Sequence, residues 1–147
     1  MSEPNTLGQA LSGRPPQEQA RVLARIGRSL RDGLAGRGEN TAEADSSLAL
    51  VEQWARDQQV SGRAFSDQIY SETEKGVLRR LMDAKEPASA TLWNALVTDV
   101  MYVAWLAYRK SGERMPEDVS EVDETTLDLL DRLWRETPVY DPAILSS

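Results

Sequence analysis

The fold is decided by the stretch LWNALVTDVMYVAWLAY, residues 92–108. On a helix this stretch is apolar on most sides, and a helix that is apolar nearly all round is surrounded by other helices. It is interrupted by Asn94, Thr98 and Asp99, and it falls short of the roughly 20 apolar residues that cross a bilayer. The sequence therefore predicts a central buried helix over residues 89–110 and no membrane span.

Amphipathic segments flank this central helix on both sides. A helix begins at Pro15-Pro16 and ends at GRGEN, residues 36–40, because proline suits a first helical turn and glycine follows a last one. A second runs from Asn40 to about Gln58, and a last one, capped by Asp123 or Ser120, runs to about Glu136. Residues 60–84 read equally as one helix or two. No segment alternates with period two, so we predict an all-α fold, a compact bundle of about five helices.

The chain has 147 residues, 40% of them hydrophobic, which fits one domain with a real core. Residues 1–14 are rich in Gly, Ser and Asn with a short apolar patch at Leu7 and Leu11, and we expect a loose turn of helix or a flexible N-terminal arm there. Residues 15–147 are then a single helical domain. The N-terminus lacks a basic start followed by an apolar run, so no signal peptide is predicted and a cytoplasmic location is expected.

The chain contains neither cysteine nor histidine. This removes disulfides, thiolate ligands, the commonest general base and any Ser-His or Cys-His catalytic pair. We therefore expect a protein that is not an enzyme and that uses no cofactor or metal. The net charge of -7 argues against nucleic acid and anionic membranes as partners and favours a basic protein partner.

The segment PEDVSEVDETTLDLLD, residues 116–131, holds seven acidic side chains and no basic one. Like charges at helical spacings repel by a few tenths of a kcal/mol each. The segment is either a solvated face or a surface complementary to a basic partner. In the second case the partner contacts are predicted to be Glu117, Asp118, Glu121, Glu124, Asp128 and Asp131.

Two side chains of the central helix are further candidates. Asp99 lies on an apolar stripe, and burying a lone carboxylate costs several kcal/mol. It therefore needs an arginine partner in the core, or it faces a bound partner from a groove. Tyr102 is spaced to share a side of the helix with Trp105 and to reach a surface cleft. A basic stripe of Arg21, Arg25 and Arg28 is either solvated or paired with the acidic helix, and its role stays open.

Residues 92–134 join an Ala- and aromatic-rich helix, the loop MPEDVSEVDE and an acidic last helix. This order resembles the small all-α bacterial immunity proteins of polymorphic toxin systems. The resemblance implies a cytoplasmic protein that binds one toxin effector domain and blocks its active site or substrate entry. We expect that toxin domain to have a basic surface.

Two alternatives of other classes stay open. The acids of EVDE, residues 121–124, and of DLLD, residues 128–131, are similar to the paired acidic motifs of all-α nucleotide pyrophosphohydrolases, which implies a carboxylate-metal nucleotide hydrolase using Mg²⁺. A helical adaptor or secretion chaperone is the other alternative, and it predicts a homodimer with an exposed apolar groove.

Overall fold

The structure, a computed structural model, describes residues 6–57, 59–69 and 77–146. These residues contain no strand, so the all-α prediction is confirmed. Their α-helices are α1 (Leu7–Leu11), α2 (Pro16–Gly36), α3 (Ala42–Asp57), α4 (Gly62–Ile69), α5 (Val77–Asp83), α6 (Pro87–Ser111), α7 (Glu117–Ser120) and α8 (Glu124–Arg135). A 3-10 helix over Pro142–Ser146 follows them.

Helix α6 is the centre of the bundle, as predicted. It packs against α2, α3, α4, α5, α7 and α8, most extensively against α2, α4 and α8. By length and composition alone α6 is also apolar enough to cross a membrane, but 72% of its most apolar window is buried inside the fold. It begins at Pro87 and ends before Gly112, which has φ 75, the left-handed conformation that glycine adopts after a last helical turn.

The prediction of about five helices is too low, because the described residues form eight α-helical segments. Two of the additional ones, α1 and α7, have only five and four residues. Segments this short contain too few residues to show a helical period. The described parts of 60–84 are α4 and α5, and residues 70–76 between them lie outside the described ranges.

The described part of the predicted N-terminal arm is not free. Leu7, Ala10 and Leu11 of α1 are buried, and α1 packs against α8 and the 3-10 helix. Thr6 caps α1 by accepting the backbone N–H of Gln9 at 3.1 Å. This part of the arm is a short packed helix, and its apolar side chains cover a side of α8 that would otherwise be open to water.

The basic stripe of α2 is divided between two roles. Arg28 donates to Glu52 at 2.6 Å and lies 3.7 Å from Asp45, both on α3. Its partners are thus on α3 and not on the acidic helix α8. Arg21 and Arg25 are exposed. The pairs of Arg28 are partly exposed, so they orient α2 on α3 more than they stabilise the fold.

Candidate partner-binding surface

Helix α8 begins at a capping box whose N-cap is Asp123, one of the two residues, with Ser120, that were predicted to cap it. The carboxylate of Asp123 accepts the N–H of Thr125 at 2.8 Å, and its own N–H donates to the Thr126 hydroxyl at 3.2 Å. The hydrogen bond from the Thr125 hydroxyl holds the pKa of Asp123 below its ordinary value. One of the seven acids of the segment is therefore explained by the helix terminus.

The faces of α8 separate as its sequence predicts. Leu127, Leu130 and Trp134 are buried in the core, whereas Asp128 is exposed. Glu117 and Glu121, on and just after α7, are exposed as well. The side chains of Asp118 and Glu124 lie outside the described part of the structure. We call Glu117, Glu121 and Asp128 the acidic surface.

Asp131 is not part of this surface. It is only 8% exposed, and its carboxylate accepts the N–H of Leu7 at 3.1 Å and the Nε–H of Arg135 at 2.8 Å. The expectation that Asp131 contacts a partner is corrected, because both carboxylate oxygens are used inside the molecule. Its position on α8 is the one that α1 covers.

We expect Asp131→Ala and Asp128→Ala to differ sharply in stability. The first substitution leaves the N–H of Leu7 without its acceptor and removes the ion pair with Arg135, which costs about 1 to 2 kcal/mol of unfolding free energy. The second removes an exposed carboxylate and changes that free energy by less than about 0.5 kcal/mol. Urea denaturation of both variants measures the difference. Equal stability would mean that Asp131 does not hold α1 in place.

A surface groove adjoins the acidic surface, and we call it the α6 groove. It is formed by two neighbouring hollows of about 370 and 380 Å³ that share Gln19 and Tyr102. The first hollow lies between the α1–α2 turn and α8 and is bounded by Asp128. The second runs along the end of α6, past Trp105, Arg109 and Lys110. Asp128 thus belongs both to the acidic surface and to the wall of this groove.

The floor of the α6 groove is held by specific contacts. The side-chain amide of Gln19 donates to the carbonyl of Arg14 at 2.8 Å, so its own oxygen faces the Tyr102 hydroxyl at 3.5 Å. The rings of Tyr102 and Trp105 lie 5.4 Å apart at an angle of 44°. Tyr102 is only 5% exposed and therefore forms the base of the groove. The cleft expected beside Tyr102 and Trp105 is present.

Asp99 lies elsewhere, in the interior. It is 0% exposed, and neither carboxylate oxygen has a hydrogen-bond partner in the described residues. The predicted core ion pair with an arginine is therefore wrong, and so is the alternative of a groove carboxylate. Its Oδ2 faces α2 at Gly27, where a Cβ atom would lie 3.3 Å from it. Burial raises the pKa of Asp99 well above its ordinary value.

A protein-family model described as Immunity protein Imm6 matches residues 18–135. The chain belongs to the Imm6 family of immunity proteins. The match covers nearly all of α2 and runs through α8, so it includes the acidic surface and the parts of the α6 groove that α2, α6 and α8 supply, but not the α1–α2 turn. Comparison with curated proteins found no match, and neither did comparison with solved structures. The suspected membership of an immunity family is confirmed.

The described residues give no support to the two alternatives to an Imm6 protein. No group of three or more Asp or Glu among them is placed to hold a metal ion. Among these residues the exposed large apolar side chain is Met82, which is 69% exposed. One such side chain does not form the exposed apolar groove that the chaperone alternative predicts.

The sequence did not single out three groove residues of this Imm6 protein. Gln19 reaches Tyr102 across 83 residues of chain, a contact that no local pattern indicates. Arg109 and Lys110 had a weak signal, because Arg109 follows Trp105 by four residues and helical neighbours at that spacing touch.

Proposed function

We propose that this Imm6 protein acts in the cytoplasm by binding one cognate toxin domain and neutralising it, without catalysing a reaction. The observation that carries the proposal is the acidic surface on a member of an immunity family. The carboxylates of Glu117, Glu121 and Asp128 are exposed and make no hydrogen bond or ion pair with the described residues.

The arrangement of α8 supports a charged surface that is held rigidly. Leu127, Leu130 and Trp134 fix one face of the helix in the core, and Asp131 ties it to α1. The exposed acids project from the remaining face and from α7. Rigid charges of one sign steer a partner of the opposite sign during encounter, and that effect weakens as salt screens it.

The charge also favours one mode of neutralisation. A toxin that acts on nucleic acid or nucleotides needs Lys and Arg side chains to hold phosphates. An acidic surface seated on those side chains blocks substrate entry and pairs the charges that bind substrate. The bound toxin domain is therefore expected to have a basic surface around its active site.

The test is capture of the partner from lysate of the native host, followed by mass spectrometry and binding kinetics. We expect wild-type protein to retain one basic toxin domain and to inhibit its activity. Changing Glu117, Glu121 and Asp128 together to lysine should slow association by about tenfold or more at low salt. Asp131 and Asp123 are left unchanged because they stabilise the fold.

The matched control changes Asp32, Asp67 and Asp83 to lysine, which alters the net charge by the same amount. These exposed residues lie on α2, α4 and α5, and α4 and α5 pack against α3 and α6. The control should lose far less association rate than the acidic-surface variant. Equal losses would show that net charge alone matters, and retention of no toxin by wild-type protein would overturn the proposal.

A further inference from the structure

The far end of the α6 groove has the opposite charge to the acidic surface. Arg109 and Lys110 line it, and both are exposed. Within the described residues neither side chain has an ion pair or a hydrogen bond. Two adjacent cations thus lie unneutralised beside an acidic surface, on a chain with a net charge of -7.

The nearest acid in sequence does not serve them. The carboxylate of Glu113 accepts the backbone N–H groups of Gly62 and Arg63, at 3.2 and 3.4 Å, at the start of α4. The end of α6 attracts cations through its helix dipole, which accounts for basic residues in this turn. The dipole does not account for how Arg109 is held.

The guanidinium of Arg109 lies over the indole ring of Trp105, with 4.6 Å between its central carbon and the ring centroid. This contact uses the ring face and occupies none of the N–H donors of the guanidinium. The side chain is therefore positioned at the groove wall with its donors available, and Lys110 adds a second charge beside it. An oriented guanidinium of this kind suits a carboxylate, which it can bind with two parallel hydrogen bonds.

We infer that the basic end of the α6 groove binds an acidic side chain of the toxin, so that the interface alternates in charge. The inference rests on the proposed function and deepens it. The toxin then presents basic residues to Glu117, Glu121 and Asp128 and one carboxylate to Arg109 and Lys110. Such an alternation selects one toxin among basic competitors, because a wholly basic surface leaves Arg109 facing a like charge.

The experiment uses a variant for which a purely acid-against-base interface and an interface of alternating charge predict opposite changes in affinity for the toxin domain. If the interface were simply acid against base, Arg109→Glu with Lys110→Glu would add negative charge and tighten binding to the captured toxin domain. If the basic end binds a carboxylate, the same variant should weaken binding by about tenfold or more, mainly through faster dissociation. Arg109→Gln with Lys110→Gln should weaken it to a smaller extent, since it removes attraction without adding repulsion.

The control is Arg63→Glu with Lys85→Glu, which makes the same change in net charge at exposed positions before α6. It should leave the dissociation rate unchanged. Tighter or unchanged binding by the Arg109/Lys110 variants overturns the inference while leaving the proposed function intact. Loss of capture in the acidic-surface variant but not in the Arg109/Lys110 variants therefore supports the proposed function and overturns the inference. A wild-type protein that captures no toxin overturns both the proposed function and the inference.

Discussion

Asp99→Asn is expected to make the protein more stable than wild type at neutral and alkaline pH, and about equally stable near pH 4. The carboxyl group of Asp99 is fully buried without a hydrogen-bond partner in the described residues, and burial raises its pKa well above the ordinary value. Asparagine has nearly the same shape and does not ionise. The substitution therefore removes the pH dependence and keeps the packing.

The sign follows from proton release. The folded-state pKa of Asp99 lies above that of the unfolded chain, so the unfolded chain releases its proton first as the pH rises. The contribution of Asp99 to wild-type stability is full below the unfolded value, about 3.9. Above it, that contribution falls by about 1.4 kcal/mol per pH unit until the pH reaches the folded-state pKa. The gap between variant and wild type widens over the same interval.

Urea denaturation from pH 4 to pH 9 measures this gap. The chain has no histidine and no cysteine, so the two side chains that commonly titrate between about pH 6 and pH 9 are missing, and over that range they do not obscure the contribution of Asp99. A gap that is constant with pH would show that Asp99 has a partner in solution or is reached by water.

Asp45→Asn is the matched control, because its pKa shifts in the other direction. The hydrogen bond from Arg31 is the main cause that holds the pKa of Asp45 below its ordinary value. Its contribution to stability is present above the unfolded pKa and is lost as the pH falls through the folded value. The difference in unfolding free energy between Asp45→Asn and wild type should therefore change with pH only at acidic pH, below the unfolded pKa of about 3.9. The difference between Asp99→Asn and wild type should change only above that pKa.

Asp99 also shows how much of the structure could be predicted from the sequence. Its apolar neighbours at helical spacing placed it inside the bundle, and that is where it lies. Its surroundings could not be predicted, because they depend on which helix packs there and at what height. Arg28 and Arg31 of α2 do not pair with it, because they are engaged by Glu52 and Asp45 on α3.

The same limit determines which parts of the α6 groove could be predicted from the sequence. Helix α6 was predictable because almost every residue along it is apolar, so many independent positions agree. Helix α1 was predicted only as a loose turn or an arm, because its five residues hold a single pair of leucines at helical spacing. The role of Asp131 was missed, since that role exists only when α1 covers α8. Short elements and contacts between distant parts of the chain decide the groove, and neither has a local pattern.

Gly62→Ala is expected to destabilise the protein by about 3 kcal/mol, toward the upper end for inserting a methyl group into a packed core. A Cβ atom at Gly62 would lie 2.4 to 2.6 Å from three ring atoms of Tyr108. The ring has little room to move, because Tyr108 is buried and its hydroxyl lies 2.7 Å from that of Ser66 on the same helix α4. Urea denaturation at neutral pH measures the loss.

A double-mutant cycle with Tyr108→Leu tests the cause. Leucine removes the ring atoms that the new methyl group would strike, so Gly62→Ala should cost much less in that background, with a coupling energy of about 1 kcal/mol or more. Gly36→Ala is the control, because a Cβ atom there meets nothing within 4 Å. It should leave stability unchanged or raise it slightly, since alanine favours a helix over glycine. Additive effects of Gly62→Ala and Tyr108→Leu would show that the helix start, and not the ring of Tyr108, requires glycine.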